Sequence, residues 1–281
     1  MELLQQLTFL ERGIIAGLII GCICPLIGAF LLVRRITIIS EALSHITLTG
    51  ITAGMFLSQS IALFSFLNPL YAGLFFSLIG SLLVEKLRQI YKHFQELAIP
   101  IILSSGIGLS AILMSLTSGS YNQWYNYLFG SIITVSLSDL LFIIITGLIA
   151  LLMIGGFYKE LLSISFDQEF AKVTGVSVTR FNFFFSLLIA IVISMSMKVV
   201  GILLVGAMVT LPVAASIQLA KSFKQVIFLG ILFGELAMII GIILSYYLDI
   251  ATGGMIVVTG VFILLITSGI KKITASLRSK I

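Results

Sequence analysis

Glu41 and His45 are the residues of this chain best suited to chemistry. They stand four apart in Ser40-Glu41-Ala42-Leu43-Ser44-His45, a spacing that puts both side chains on one face of a helix. One carboxylate oxygen and one imidazole nitrogen suit a borderline divalent ion such as zinc or manganese. Thr49 continues that face, with Ser44 and Thr47 beside it. Two ligands are too few for a closed site, and a second copy of the chain facing the first would supply four. An open, weak site also suits transport, because the ion must leave again. The same spacing equally describes a pair that satisfies itself, or one at the water boundary near Arg34 and Arg35.

The other ionisable residues within apolar stretches are few. Glu235 stands alone in one of them and either pairs with a polar group on a neighbour or lines a pathway. Asp249 and Lys198 fall near the ends of apolar stretches, where solvated or snorkelling side chains are expected. His93 lies in a basic loop and reads as solvated. Cys22 and Cys24, two apart, point to different sides of a helix and read as small packing residues. The chain has no G-x-x-x-x-G-K-[ST] and is not expected to split ATP by itself. It has neither H-E-x-x-H nor G-x-S-x-G, which leaves an intramembrane hydrolase without its constellation.

These residues belong to a chain of 281 residues that is 59% hydrophobic and only 10% charged. A soluble domain carries about 25% charged residues, and no soluble fold of this size buries so much apolar surface. The chain reads as an integral membrane protein; a disordered chain, a soluble enzyme and a nucleic-acid binder are excluded. The expected fold class is all-α, a polytopic transmembrane helix bundle forming one domain over 1–281. A span needs about 20 apolar residues. Candidates fall near 13–33, 40–58, 68–84, 97–117, 138–157, 179–197, 199–219, 225–247 and 252–270. That makes nine spans, or eight if the sixth and seventh, separated almost only by Lys198, form one broken helix rather than a tight hairpin. The second is the most polar and carries Glu41 and His45.

Placing the N-terminus outside leaves only Arg12 and Lys198, of the 16 basic residues, on the outer side. The inner loops then hold Arg34 and Arg35, Lys86, Arg88 and Lys92, Lys159, Lys172 and Arg180, Lys221 and Lys224, and Lys271, Lys272, Arg278 and Lys280. This asymmetry predicts a cytoplasmic C-terminus. The start of the chain has no signal-peptide layout, since Arg34-Arg35 follow the first apolar stretch as an anchor. Small residues recur in Gly201 to Gly206 and Gly234 to Gly241, which suits close helix packing in lipid. The uncharged aromatic run 121–127 reads as an interfacial belt.

The inner loop 158–178 holds a helix signal. Ser165 reads as an N-cap completed by Gln168 in a capping box. Asp167 and Glu169 favour the positive helix end, and Gly175 supplies a stop. The prediction is a short helix over 166–174 with Phe166 and Phe170 on one face, resting on lipid headgroups or docking a soluble partner.

Taken together, the chain resembles the membrane permease of bacterial metal-uptake ABC transporters, the zinc and manganese group. The resemblance runs through nearly the whole chain. Leu31-Leu32-Val33-Arg34-Arg35 and Ser40 to His45 resemble the family's basic pair and acid-x-x-x-His segment. Tyr127 to Ile132, with Phe129-Gly130-Ser131, resembles its outer turn. Phe166 to Ala171 through Gly175 is similar to its coupling segment, Val200 to Ala215 to its most characteristic span, and Ser245 to Asp249 with Gly253-Gly254 to its final turn. Each piece is weak alone; in order they are specific. Two departures stand out. Glu41 replaces the Asp common at the acid position and adds a methylene, which bears on ion preference. Ile250-Ala251 follows Leu248-Asp249 where Pro is frequent, which leaves the outer-loop geometry open.

The resemblance implies a homodimeric permease in the bacterial plasma membrane, with an ABC ATPase subunit inside and an extracellular metal-binding protein outside. It implies that Glu41 and His45 hold the transported divalent ion, zinc first and manganese next, with no permanent cofactor. It further implies that Phe166, Asp167, Gln168, Glu169, Phe170 and Gly175 couple the chain to the ATPase. A permease for a metal chelate or vitamin, or an ion-coupled secondary transporter with Glu235 carrying protons, are the alternatives. Ligation needs a neutral imidazole, so uptake is expected to weaken as pH falls through the imidazole range. A rate that stays flat between about pH 5 and 8 overturns that role for His45.

Overall fold

The computed structural model describes residues 7–60, 68–91, 93–117 and 121–278. Lys92 and Lys280 lie outside the described residues, as do the side chains of 121–123 and 274–278, and with them part of the aromatic belt and of the basic loops.

Local signals set where the helices begin. In α1 (Phe9–Val33) the Thr8 hydroxyl accepts the Glu11 N–H while the Glu11 carboxylate accepts the Thr8 N–H, a reciprocal capping box. Ser136 and Asp139 repeat the device at α6 (Leu137–Gly156). Asn68 caps α3 (Pro69–Ile90), whose first residue is a proline already set to a helical φ. Between these run α2 (Ile39–Ser60), α4 (Ala98–Leu116) and the short α5 (Tyr121–Phe129). After α6 come α7 (Tyr158–Phe166), α8 (Gln168–Val173), α9 (Val178–Val200), α10 (Val205–Leu219), α11 (Phe223–Leu248) and α12 (Thr252–Arg278).

Among the described residues, seven helices are long and apolar enough to cross a membrane: α1, α3, α4 with its preceding turn, α6, α9, α11 and α12. The two remaining expected spans are the exceptions. Helix α2 has 22 residues, long enough at about 1.5 Å per residue, but it is polar. Helix α10 has 15 residues, or about 22 Å, which falls short of a hydrocarbon core of about 30 Å. Helices α1 and α9 form the centre, each with 72% of its most apolar window buried inside the protein; α4 and α12, at 28%, lie at the perimeter.

The break between the sixth and seventh spans is not at Lys198. Lys198 is in the last turn of α9, and the chain turns at Gly201, with φ 88° and ψ 148°, a conformation closed to side-chain-bearing residues. Residues 127–131 pair there with 198–203 through backbone bonds: Ile202 N–H to Tyr127 O, Leu203 N–H to Leu128 O, and Ser131 N–H to Lys198 O. Gly130, also at positive φ, and Gly253 at the start of α12 meet the same crossing. The irregular backbone is thus satisfied within the protein, which spares it the cost of unpaired polar groups in an apolar bundle.

Lys198 is also not a solvated or snorkelling end residue. Its ammonium lies 3.2 Å from the Asp139 carboxylate and over the Tyr127 ring. Asp139 is buried and simultaneously closes the α6 capping box. Asp249 does behave as an end residue: it caps α11 in the left-handed region and is exposed. Cys24 is buried with its sulfur 3.2 Å from the Ser196 hydroxyl, and Cys22 is half-buried; both are free thiols.

Candidate ion site

The site begins at the turn between α1 and α2. Ile36 N–H reaches Leu31 O and Arg35 N–H reaches Leu32 O, with Arg35 at φ 57°. This is the Schellman closure of α1, built on an arginine rather than the usual glycine. Three residues on, α2 starts with Ile39 and Ser40 buried, so Glu41 lies in its first turn and His45 one turn further along the same face.

Helix α2 carries many polar groups through an apolar bundle because its hydroxyls serve its own backbone. Ser44 donates to Ser40 O, Thr47 to Leu43 O, and Thr49 to both His45 O and Gly106 O of α4. Such bonds remove the cost of unsatisfied hydroxyls in lipid. Thr49, Ser44 and Thr47 are therefore structural companions of the pair. The helix is seated by glycines: a Cβ on Gly106 would lie 3.0 Å from the His45 carbonyl carbon, and one on Gly50 would lie 2.6 Å from Ala72 O of α3. His45 is half-buried against α4.

The Glu41 side chain reaches towards a different neighbour, into an open cleft of about 400 Å³ lined by Thr37, Ser40, Gly206, Ala207 and Thr210, with Leu211, Val257 and Val261. Its carboxylate lies against Gly206, the second residue of α10: a Cβ there would stand 2.8 Å from Oε1. The structure thus carries Glu41 and His45 on one stretch of one helix, one turn apart. Among the described residues, no group of three or more His, Cys, Asp or Glu side chains converges. Two such side chains on one copy are too few for a closed metal site.

Glu235 is elsewhere. It projects from α11 towards Gly21 of α1, where a Cβ would lie 3.3 Å from its Cδ, and its buried Oε2 has no hydrogen-bond partner among the described residues. Pro25 of α1 cannot donate to the Gly21 carbonyl, and Gly234 packs directly on that freed oxygen, where a Cβ would lie 2.5 Å away. Glu235 therefore belongs to the α1–α11 contact, and it does not line the Glu41 cleft.

The segment expected over 166–174 does form a helix, with its start shifted from the expected one. Ser165 is not the cap. It remains inside α7, its hydroxyl donating to Leu161 O. Asp167, extended at φ −150°, is the cap and accepts the Phe170 N–H at 2.9 Å. The carboxylate caps as well as a hydroxyl does, and it stands where the chain breaks, so α8 runs Gln168–Val173 rather than 166–174 and Gln168 closes no box. Glu169 pairs with Lys172 at 2.9 Å. Gly175, at φ 86°, ends the element as expected. Phe166 (63% exposed), Phe170 (61%) and Val173 (87%) leave an apolar face uncovered, while Ala171 buries against Ile164 and Val178.

One connection was not visible in the sequence. The Arg34 guanidinium donates to the Ser165 hydroxyl at 2.9 Å and to Asn182 Oδ1 at 3.0 Å, and it stacks 4.2 Å from the Phe185 ring centroid. Burial, with Arg88 nearby, pushes its pKa down to about 10, so it stays charged at neutral pH. Arg34 thus fastens the turn that launches α2 to the end of α7 and the first turns of α9. No spacing rule links residues so far apart. Asp139 was also missed, although Ser136-x-x-Asp139 is a legible capping signal; its pairing with Lys198 is not.

The sequence profile of the ABC 3 transport family matches residues 6–271. The chain is similar to a probable metal transport system membrane protein of Treponema pallidum, at 31% identity over 95% of this chain and 97% of that one. It is similar to the manganese transport system membrane protein MntC of Listeria monocytogenes, at 30% identity over 95% and 92%. Among solved structures it is similar to PsaBC from Streptococcus pneumoniae in complex with Fab, with a TM-score of 0.79 and 29% identity, covering 94% of this chain and 92% of that chain.

Proposed function

The chain belongs to the ABC 3 transport family and is a membrane permease of an ABC metal transporter; from that premise we propose that it imports manganese or zinc ions through a site made by Glu41 and His45. The observation that carries this reading is the polar helix α2 inside an apolar bundle, presenting a carboxylate that lines an open cleft and an imidazole one turn further along the helix. The manganese name of the Listeria relative puts manganese first; the ligand pair suits either ion. Two copies facing each other would complete a four-ligand shell. Glu41 and His45 would hold the ion, and the adjoining cleft would take it onward.

Driving force comes from outside the chain, in a separate ATPase subunit docking on α8. Phe166, Phe170 and Val173 offer the apolar contact there, and Arg34 carries its movement to the base of α2. An extracellular metal-binding protein would deliver the ion, in a bacterial plasma membrane with the N-terminus outside. The chain forms one domain, and nucleic acid has no part in it.

The test is uptake of manganese and of zinc by the chain with its cognate ATPase and binding protein, in cells lacking other high-affinity systems. ATP-dependent uptake of either ion is expected. Uptake by the chain alone, driven by a proton gradient, overturns the reading in favour of a secondary transporter. For the docking face, Phe170→Asp is expected to weaken ATPase co-purification at least about tenfold, since a buried aromatic anchor contributes about 2 kcal/mol or more. Unchanged co-purification would assign that face to lipid headgroups.

A further inference from the structure

Helix α10 opens without a side-chain cap: Leu204 precedes Val205 and makes no capping bond. The first turn of a helix carries partial positive charge and attracts anions. The Glu41 carboxylate lies in that turn. A Cβ on Gly206 would stand 2.8 Å from Oε1, 3.3 Å from Cγ and 3.4 Å from Cδ of Glu41. The space a side chain at 206 would fill is therefore taken by the carboxylate. Ala207 and Thr210 line the same cleft, and the Thr210 hydroxyl is turned back onto Gly206 O, so it does not compete for the position.

We propose that Gly206 is a positioning residue for the ion site: by leaving the first turn of α10 open, it gives the Glu41 carboxylate a second seat, for which α10 competes with the ion. With the carboxylate on α10, His45 is left as a lone ligand and the ion departs. With the carboxylate drawn back towards His45, the pair binds. The extra methylene of Glu41 provides the reach; an aspartate in its place draws the carboxylate back from α10. The inference rests on Glu41 being an ion ligand.

The experiment measures manganese and zinc uptake kinetics in the complete transporter for Gly206→Ala, Glu41→Asp and the double variant, with Glu41→Ala alongside. Alanine suits a helix better than glycine, so Gly206→Ala should fold; a melting temperature checks this. Gly206→Ala is expected to lower the half-saturating ion concentration about two- to tenfold, the size of a charge–helix-end interaction, and to lower the maximal rate because release slows. In the Glu41→Asp background the same substitution should change neither. Unchanged kinetics for Gly206→Ala, or an equal shift in both backgrounds, overturns the proposal while leaving the ion site standing. Normal uptake by Glu41→Ala overturns the ion site itself, and the proposal with it.

Discussion

His45→Ala is expected to abolish ion uptake while leaving the protein in the membrane at normal levels. Changes to groups that merely support metal ligands cost about 10–100-fold, so loss of a ligand should reach at least the top of that range. In a two-copy site one substitution removes two ligands of four, leaving a pair of carboxylates that hold a borderline ion weakly. The fold has little stake in the ring. Helix α2 is held by Gly50 and Gly106 at its neighbours and by the Thr49 bond to Gly106 O; those contacts use backbone or other side chains. The check is uptake of manganese and zinc against membrane abundance. Loss of manganese uptake alone, or of zinc uptake alone, identifies the cargo. Normal uptake of both would make His45 structural and return Glu41 to the role of a charge seated on α10.

Much of this arrangement was legible in the sequence. Apolar stretches of about 20 residues located every long helix, and the i,i+4 rule placed Glu41 and His45 together. The places where reading failed share a cause: they depend on contacts between distant segments. The sequence put the break at Lys198 because a charge interrupts an apolar run. The structure puts it three residues later, at Gly201, because the backbone there must pair with 127–131. Lys198 looked like a snorkelling end residue because nothing local shows Asp139, which waits on another helix. Ser165 looked like a cap because hydroxyls cap well; it was needed instead under Arg34, and Asp167 took the capping role. Gly206 drew notice only as one of several small residues, since its contact with Glu41 requires α2 and α10 to be brought together first.

Gly201→Ala is expected to be among the most damaging single-methyl substitutions at the described glycines. At φ 88° and ψ 148° a Cβ is strained on backbone grounds alone. The added carbon would also meet backbone: it would lie 2.6 Å from Leu128 O and run into Gly130 N and Phe129 C. Those atoms cannot rotate away as a flexible side chain can. They are fixed by the Tyr127–Ile202, Leu128–Leu203 and Ser131–Lys198 hydrogen bonds, which the new methyl would force apart within the bundle. Backbone strain, overpacking and exposed amides together exceed about 4 kcal/mol, the range of the rare, severe substitutions. That is comparable with the whole stability of many domains, about 5–15 kcal/mol. Folded protein in detergent, measured by a single size-exclusion peak and its melting temperature, should be largely lost. Gly108→Ala and Gly155→Ala serve as controls: no atom of the described residues lies within 4 Å of either added Cβ, both positions are helical, and alanine there should be neutral or stabilising by about 1 kcal/mol. A normal melting temperature for Gly201→Ala would show that the crossing yields. In that case the depth at which α10 begins, and with it the seating of Gly206 against Glu41, would not be set by the junction.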